Sequence, residues 1–108
     1  MINNKICGLL GLARRAGKLT FGTEACLQEI DKNRVNLIII ATDAAERTKM
    51  NFNNICKERK VPIFEVLDIE SISKSIGQTN KAVIGIKDKN FAKEIAKIIS
   101  GGEAIGLD

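Results

Sequence analysis

The sequence predicts an α/β layered domain with helices on both sides of a sheet, and three observations carry that reading. Leu37-Ile38-Ile39-Ile40 is an unbroken, β-branched apolar run of strand length, as expected of a central strand covered on both faces. Stretches with helical spacing alternate with short strand-like stretches along the whole chain, in the order of one helix followed by four strand-helix units. At 108 residues, 44% hydrophobic and 28% charged, the chain is large enough for one hydrophobic core and too small for two.

Each element follows from its own residues. Ile6, Leu9, Leu10 and Ala13 recur at helical spacing, so residues 2 to 15 form an amphipathic helix, with Gly17 placed to close it in a left-handed cap. Gly8 and Gly11 within it read as points of close helix packing, because no strand precedes them and no Gly-Lys-Ser/Thr follows. Lys18 to Phe21 form a short strand, and the helix after it buries Cys26, Leu27 and Ile30 before ending near Asn33. After the Leu37 to Ile40 strand, Asp43 with Glu46 three positions on reads as a capping-box variant opening a helix through Phe52, Ile55 and Cys56 to about Arg59. Beyond Pro62, Ile63 to Val66 make a third strand; Asp68 caps a short helix carrying Ile69, Ile72 and Ile76, which Gly77 ends. Ala82 to Ile86 make the fourth strand, and Asp88 caps a last helix whose Phe91, Ala92, Ile95, Ile98 and Ile99 form one apolar stripe. No linker divides residues 1–100, which read as a single domain. Residues 101–108, with three glycines and little to bury beyond Ile105 and Leu107, read as a flexible tail.

Composition removes several classes of chemistry. The chain has no His and no CxxC pair, so zinc sites, thioredoxin-like redox pairs and His-dependent catalysis are not expected. Cys7, Cys26 and Cys56 are widely spaced among apolar helical positions and read as buried free thiols. A phosphatase nucleophile loop needs Arg six positions after its Cys, where this chain has Ala13, Lys32 and Pro62. The expectation is therefore no catalytic residue, no metal and no cofactor. Four Phe and no Trp or Tyr give no broad stacking platform for single-stranded nucleic acid. No signal-peptide pattern and no apolar run of membrane-span length occur, so a cytoplasmic monomer away from membranes is the plain reading.

The net charge of +4 is unevenly spread: residues 1–60 hold eleven Lys/Arg against six Asp/Glu, and residues 61–108 hold six against seven. That asymmetry favours a polyanionic partner, although solvated helix faces give similar counts. Within the basic half, Leu12 to Gln28 joins Arg14, Arg15 and Lys18 to a short strand, Gly22 and a helix start at Thr23. A helix start presents unpaired backbone N–H groups and a positive dipole end, suited to phosphate oxygens and base acceptor edges. By itself, the stretch fits an ordinary strand-to-helix turn with solvated arginines better than a binding site.

Four blocks together change that balance: Gly8-Leu9-Leu10-Gly11-Leu12-Ala13 with Gly17-Lys18; Phe21-Gly22-Thr23-Glu24; Leu37 to Ala44; and Ser75-Ile76-Gly77 leading into the Val83 strand. In order and spacing they resemble the kink-turn RNA-binding family of the large-subunit ribosomal proteins seven-Ae and thirty-e, and most closely its small bacterial YlxQ-type members, from about Ile6 to Ile99. The resemblance implies a three-layer α/β/α sandwich around a mixed four-stranded sheet. It also implies RNA binding through the start of the second helix and two neighbouring loops. In the family a Gly-x-Asn-Glu segment and a Lys one turn later meet tandem sheared G·A pairs. Aligning the glycine on Gly22 puts Glu24, Ala25 and Gln28 at the Asn, Glu and Lys positions, so this chain departs from the motif at all three.

The RNA-binding residues implied are Lys18, Gly22, Thr23, Glu24, Gln28, Asn80 and Lys81, with Arg14, Arg15, Arg47 and Lys49 as peripheral contacts. Glu24 can accept from guanine N1/N2 edges, and reads equally as a first-turn carboxylate stabilised by the helix dipole. Where the family presents apolar groups to a flipped-out base, this loop reads Gln78-Thr79-Asn80-Lys81-Ala82. Asn80 and Lys81 therefore suit backbone or sugar contacts, with a solvated Lys81 as the alternative. The expected function is a non-enzymatic, ribosomal-protein-like binder of structured RNA, ribosomal RNA included. A small nucleotide-binding enzyme and a protein-protein adaptor with a basic face are the rival readings.

Overall fold

The computed structural model describes residues 2–101. The tail expected at 101–108 lies outside the described residues from position 102 onward. The elements run α1 (Ile2–Arg15), β1 (Leu19–Phe21), α2 (Thr23–Asp31), β2 (Leu37–Ile40), α3 (Glu46–Arg59), β3 (Ile63–Glu65), α4 (Ile69–Ser75), β4 (Val83–Ile86) and α5 (Lys89–Ile99). The predicted alternation holds throughout, and β1, β3 and β4 are each one residue shorter than expected.

The four strands form one mixed sheet in the order β1-β4-β2-β3. β2 and β3 are parallel, joined through α3 as crossover, while β4 inserts between β1 and β2 antiparallel to both. All four residues of β2 and all four of β4 are buried, as the apolar run predicted for a central strand. Ile39 lies opposite Ile84 on one side and Phe64 on the other, at the middle of the core. Helices α1, α4 and α5 pack together as one layer. Helix α2 packs on β1 and β4, and Arg59 at the end of α3 donates to the Asp31 carbonyl at 2.9 Å and to Asn33 Oδ1 at 3.0 Å, tying α3 to α2. Among the described residues, no helix is long and apolar enough to cross a membrane.

Local details both match and correct the sequence reading. Gly17 takes φ +72° and the Lys18 N–H donates to the Ala13 carbonyl at 2.8 Å, the left-handed closure expected for α1. A Cβ on Gly11 would sit 3.2 Å from the Ser75 carbonyl oxygen, so α1 and α4 do approach closely there. The same expectation fails at Gly8, which is exposed and faces open space. The capping box at Asp43 also fails, because α3 begins after Ala45 with no side-chain cap. Asp43 instead accepts from the Ile69 N–H at 2.8 Å, and Asp68 accepts from the Ser71 N–H at 2.8 Å, so two carboxylates cap α4. The second of these hydrogen bonds holds the Asp68 carboxyl below its ordinary value. Asp88 caps α5 as predicted, accepting from the Phe91 N–H at 2.9 Å.

Cys26 and Cys56 are buried, and burial pushes their thiols up to about 12 and about 11, so both stay protonated near neutrality. Cys7 is only half-buried. Gly85 sits in β4 opposite Thr20 and Ile38, where a Cβ would lie 2.9 Å from Thr20 Cγ2 and 3.4 Å from Ile38 Cδ1. Thr20 is β-branched and held in the ladder, so it has little freedom to yield. Gly85→Ala is therefore expected to destabilise the fold by about 1–3 kcal/mol, read as a lower urea midpoint with unchanged slope.

Candidate nucleic-acid interface

The strand order brings four loops to one end of the sheet. Because β4 is antiparallel to both neighbours, its beginning meets the ends of β1 and β2. The Gly22 N–H donates to the Val83 carbonyl at 2.9 Å, and the Ala41 N–H to the Ala82 carbonyl at 2.8 Å. The β3–α4 connection joins them through the Thr42 N–H, which donates to the Leu67 carbonyl at 2.8 Å. Leu67 holds φ +68°, a left-handed conformation unusual for a bulky residue. Residues separated by sixty positions in the chain thereby share one surface.

Gly22 turns β1 into α2 with φ 92° and ψ 150°, a combination that side-chain-bearing residues avoid. The first helical hydrogen bond runs from the Cys26 N–H to the Gly22 carbonyl at 3.0 Å, and no side chain caps the helix. The amides of Thr23, Glu24 and Ala25 consequently lack an intrahelical acceptor and sit at the positive dipole end. Thr23 and Glu24 are exposed.

Beside this helix start, Phe21 gathers two cations. The Arg14 guanidinium from the end of α1 lies 5.0 Å from the Phe21 ring centroid, and the Lys81 ammonium from the α4–β4 loop lies 5.8 Å from it, both within cation-π range. Neither cation makes an ion pair among the described residues. Lys81 is held by Ser73, which is only 3% exposed: Ser73 Oγ accepts from the Lys81 N–H at 2.7 Å and donates to the Lys81 carbonyl at 3.3 Å. Asn80, immediately before it, is exposed with φ +52°. Removing the clamp strands a buried N–H at a cost of about 1–3 kcal/mol. Ser73→Ala is thus expected to raise amide exchange across residues 78–82 selectively, above that of β2, in a hydrogen-exchange measurement.

A pocket of about 540 Å³ opens next to Lys81, with Asp43, Ile69, Ser73, Lys74, Thr79 and Asn80 on its walls. Among the described residues, no group of three or more Cys, Asp or Glu side chains is arranged to hold a metal.

The structure brings together Arg14, Gly22, Thr23, Glu24, Asn80 and Lys81 from the residues expected on sequence. Gln28 is exposed on α2, one turn beyond Glu24, beside a groove it shares with Arg59. Arg15 and Arg47 are exposed at the end of α1 and the start of α3. Lys18 does not join the cluster: it precedes β1, at the end of the sheet opposite Gly22, with Arg34 and Lys87 as neighbours. Lys49 is turned inward, its ammonium donating to the Thr42 carbonyl at 2.6 Å and pairing with Glu65 at 3.0 Å. That hydrogen bond to Glu65 raises the Lys49 pKa, so the charge is engaged within the fold. Phe21 and Ser73 were not expected as site residues. An isolated Phe and an isolated Ser carry no local signal of the cations and loop they organise.

A family model described as "Ribosomal protein L7Ae/L30e/S12e/Gadd45 family" matches residues 4–96. The chain is 37% identical over 97 residues to "RNA-binding protein YlxQ" of Enterococcus faecium, covering 90% of this chain and 93% of that one. Among solved structures, a protein of unknown function from Bacillus halodurans C superimposes with TM-score 0.86 at 32% identity, covering 89% of this chain and 97% of that one. The Giardia lamblia 15.5kD RNA binding protein shares the fold with TM-score 0.77 at 17% identity, over 95% of this chain and 88% of that one.

Proposed function

The chain belongs to the ribosomal protein L7Ae/L30e/S12e/Gadd45 family, and from that premise we propose that it is a non-catalytic cytoplasmic protein, acting as a monomer, that binds structured RNA at a kink-turn or a related internal loop. One observation carries the reading: two cations without ion-pair partners converge on Phe21 beside the uncapped start of α2. The name of the Enterococcus faecium relative supports RNA as the partner.

Phosphate oxygens would take the Arg14 and Lys81 charges and the amides of Thr23 to Ala25. Glu24 would accept from guanine N1 and N2, and Gln28, one turn further along the same helix face, would donate and accept beside it. The pocket next to Asn80 has room for a base unstacked from the internal loop. Binding would select the sharply bent RNA from its ensemble and perform no bond chemistry.

Neutralising about four phosphates would weaken affinity on the order of 100-fold between 50 and 200 mM salt. The test is a calorimetric titration of a kink-turn duplex and a plain duplex of equal length at those two salt concentrations. Tighter binding of the kink-turn at both supports the reading. Equal affinity for the two RNAs would overturn it.

A further inference from the structure

We propose that the protein carries a second RNA-backbone site at the end of the sheet opposite Gly22, where Lys18, Arg34 and Lys87 converge on one pocket and hold a phosphodiester outside the internal loop. The pocket has a volume of about 330 Å³, with Asn33 and Asn36 also on its walls. Its construction follows from the strand ends. The Lys87 N–H donates to the Lys18 carbonyl at 2.8 Å, and the Asn36 N–H to the Ile86 carbonyl at 2.7 Å, so the start of β1, the end of β4 and the approach to β2 lie side by side. Arg34 enters from the α2–β2 loop, after Asn33 in a left-handed turn at φ +57°.

The charges here are incompletely matched. One carboxylate, Glu29, lies among them, 3.9 Å from Arg34 Nη1 and 3.8 Å from Lys87 Nζ. Both separations exceed hydrogen-bond length, and Glu29 Oε1 is buried with no hydrogen-bond partner. Three cations against one anion leave the pocket two positive charges in excess. Lys18 makes no ion pair among the described residues, and the Arg34 side chain is 61% exposed. A phosphate oxygen offers these donors the short, charge-assisted hydrogen bonds that Glu29 does not. The open rim and the paired Asn amides suit a backbone phosphate, which needs no enclosure.

RNA is the favoured source of that phosphate because of where the pocket sits. β1 is the edge strand of the sheet, and Lys18 and Gly22 mark its two ends, about 13 Å apart at the rise of an extended chain. One RNA lying along this edge spans both. The inference rests on the RNA-binding reading above, but it does not require kink-turn specificity.

The test compares Lys18→Ala/Arg34→Ala/Lys87→Ala with a control of equal charge change on α5, Lys89→Ala/Lys93→Ala/Lys97→Ala. Each is titrated against a kink-turn RNA with short arms, the same RNA with one arm lengthened to a full helical turn, and a plain duplex. The expected result is that the pocket variant loses at least tenfold in affinity for the long-armed RNA and flattens its salt slope by about two phosphates' worth, near 1.8. The short-armed RNA and the α5 control stay within twofold of wild type. Glu29→Gln, which removes the lone anion, is expected to tighten the long-armed complex. If the pocket variant binds the long-armed RNA like the α5 control, the second site is overturned, whatever happens at the kink-turn. If wild type fails to prefer the kink-turn over the plain duplex, the specificity reading falls instead, and the second site stands only if the pocket variant still loses affinity for long RNA. Inorganic phosphate supplies the last arm: loss of its binding in the pocket variant, with RNA affinity unchanged, identifies a free-anion site and overturns the proposal.

Discussion

An Arg14→Ala/Lys81→Ala double variant is expected to lose about 100-fold in affinity for a kink-turn RNA while keeping its thermal midpoint. The magnitude follows from two charge-assisted contacts at about 1.5–3 kcal/mol each, the lower bound of which totals about 3 kcal/mol. Stability should hold because both charges sit over Phe21 at the surface without ion-pair partners among the described residues, and exposed cation-π contacts contribute only about 0.5–1 kcal/mol each. Electrophoretic titration gives the affinity, and a thermal melt gives the midpoint. Since the two cations come from α1 and from the α4–β4 loop, the singles should be near-additive if each meets its own phosphate. Affinity within threefold of wild type would remove the Phe21 cluster from the interface.

The second large effect falls on the core. Phe52 is the largest side chain that is fully buried, and it lies on α3 together with Cys56 beneath an otherwise polar helix. α3 has only a few apolar anchors, so truncating one removes much of what holds that helix to the sheet. Phe52→Ala is expected to destabilise by about 3–5 kcal/mol, a large part of the 5–15 kcal/mol typical for a whole domain. Chemical denaturation measures it directly. A loss under about 1 kcal/mol would mean that the surrounding Ile and Leu side chains collapse into the vacated space, contrary to the close packing argued here.

How much was legible depended on how local the determining interaction is. β2 was readable because a strand covered on both faces leaves a continuous apolar signature, Leu37 to Ile40, within four residues. The turn from β1 into α2 was readable because Gly22 adopts a backbone conformation that favours glycine. Asp43 was misread for the converse reason. Its spacing to Glu46 imitates a local cap, but its partner is the Ile69 amide, 26 residues away, supplied by the packing of α4 against the β2–α3 loop. Lys49 showed the same limit: a lysine in a polar helical turn looks solvated until β3 sets Glu65 beside it.

The candidate site divides in the same way. By themselves, the residues of this chain determined the alternation of elements, the apolar strands, the uncapped helix start after Gly22 and an excess of cations in the first half. Each of these depends on neighbours in the chain, through helix periodicity, strand burial or backbone dihedral freedom. Only the tertiary structure decided which cations meet. Inserting β4 antiparallel between β1 and β2 carries Lys81 to Phe21 and Arg14, and the same insertion carries Lys87 to Lys18 at the opposite end. Strand order is set by how the whole core packs, and no local pattern in the sequence encodes it.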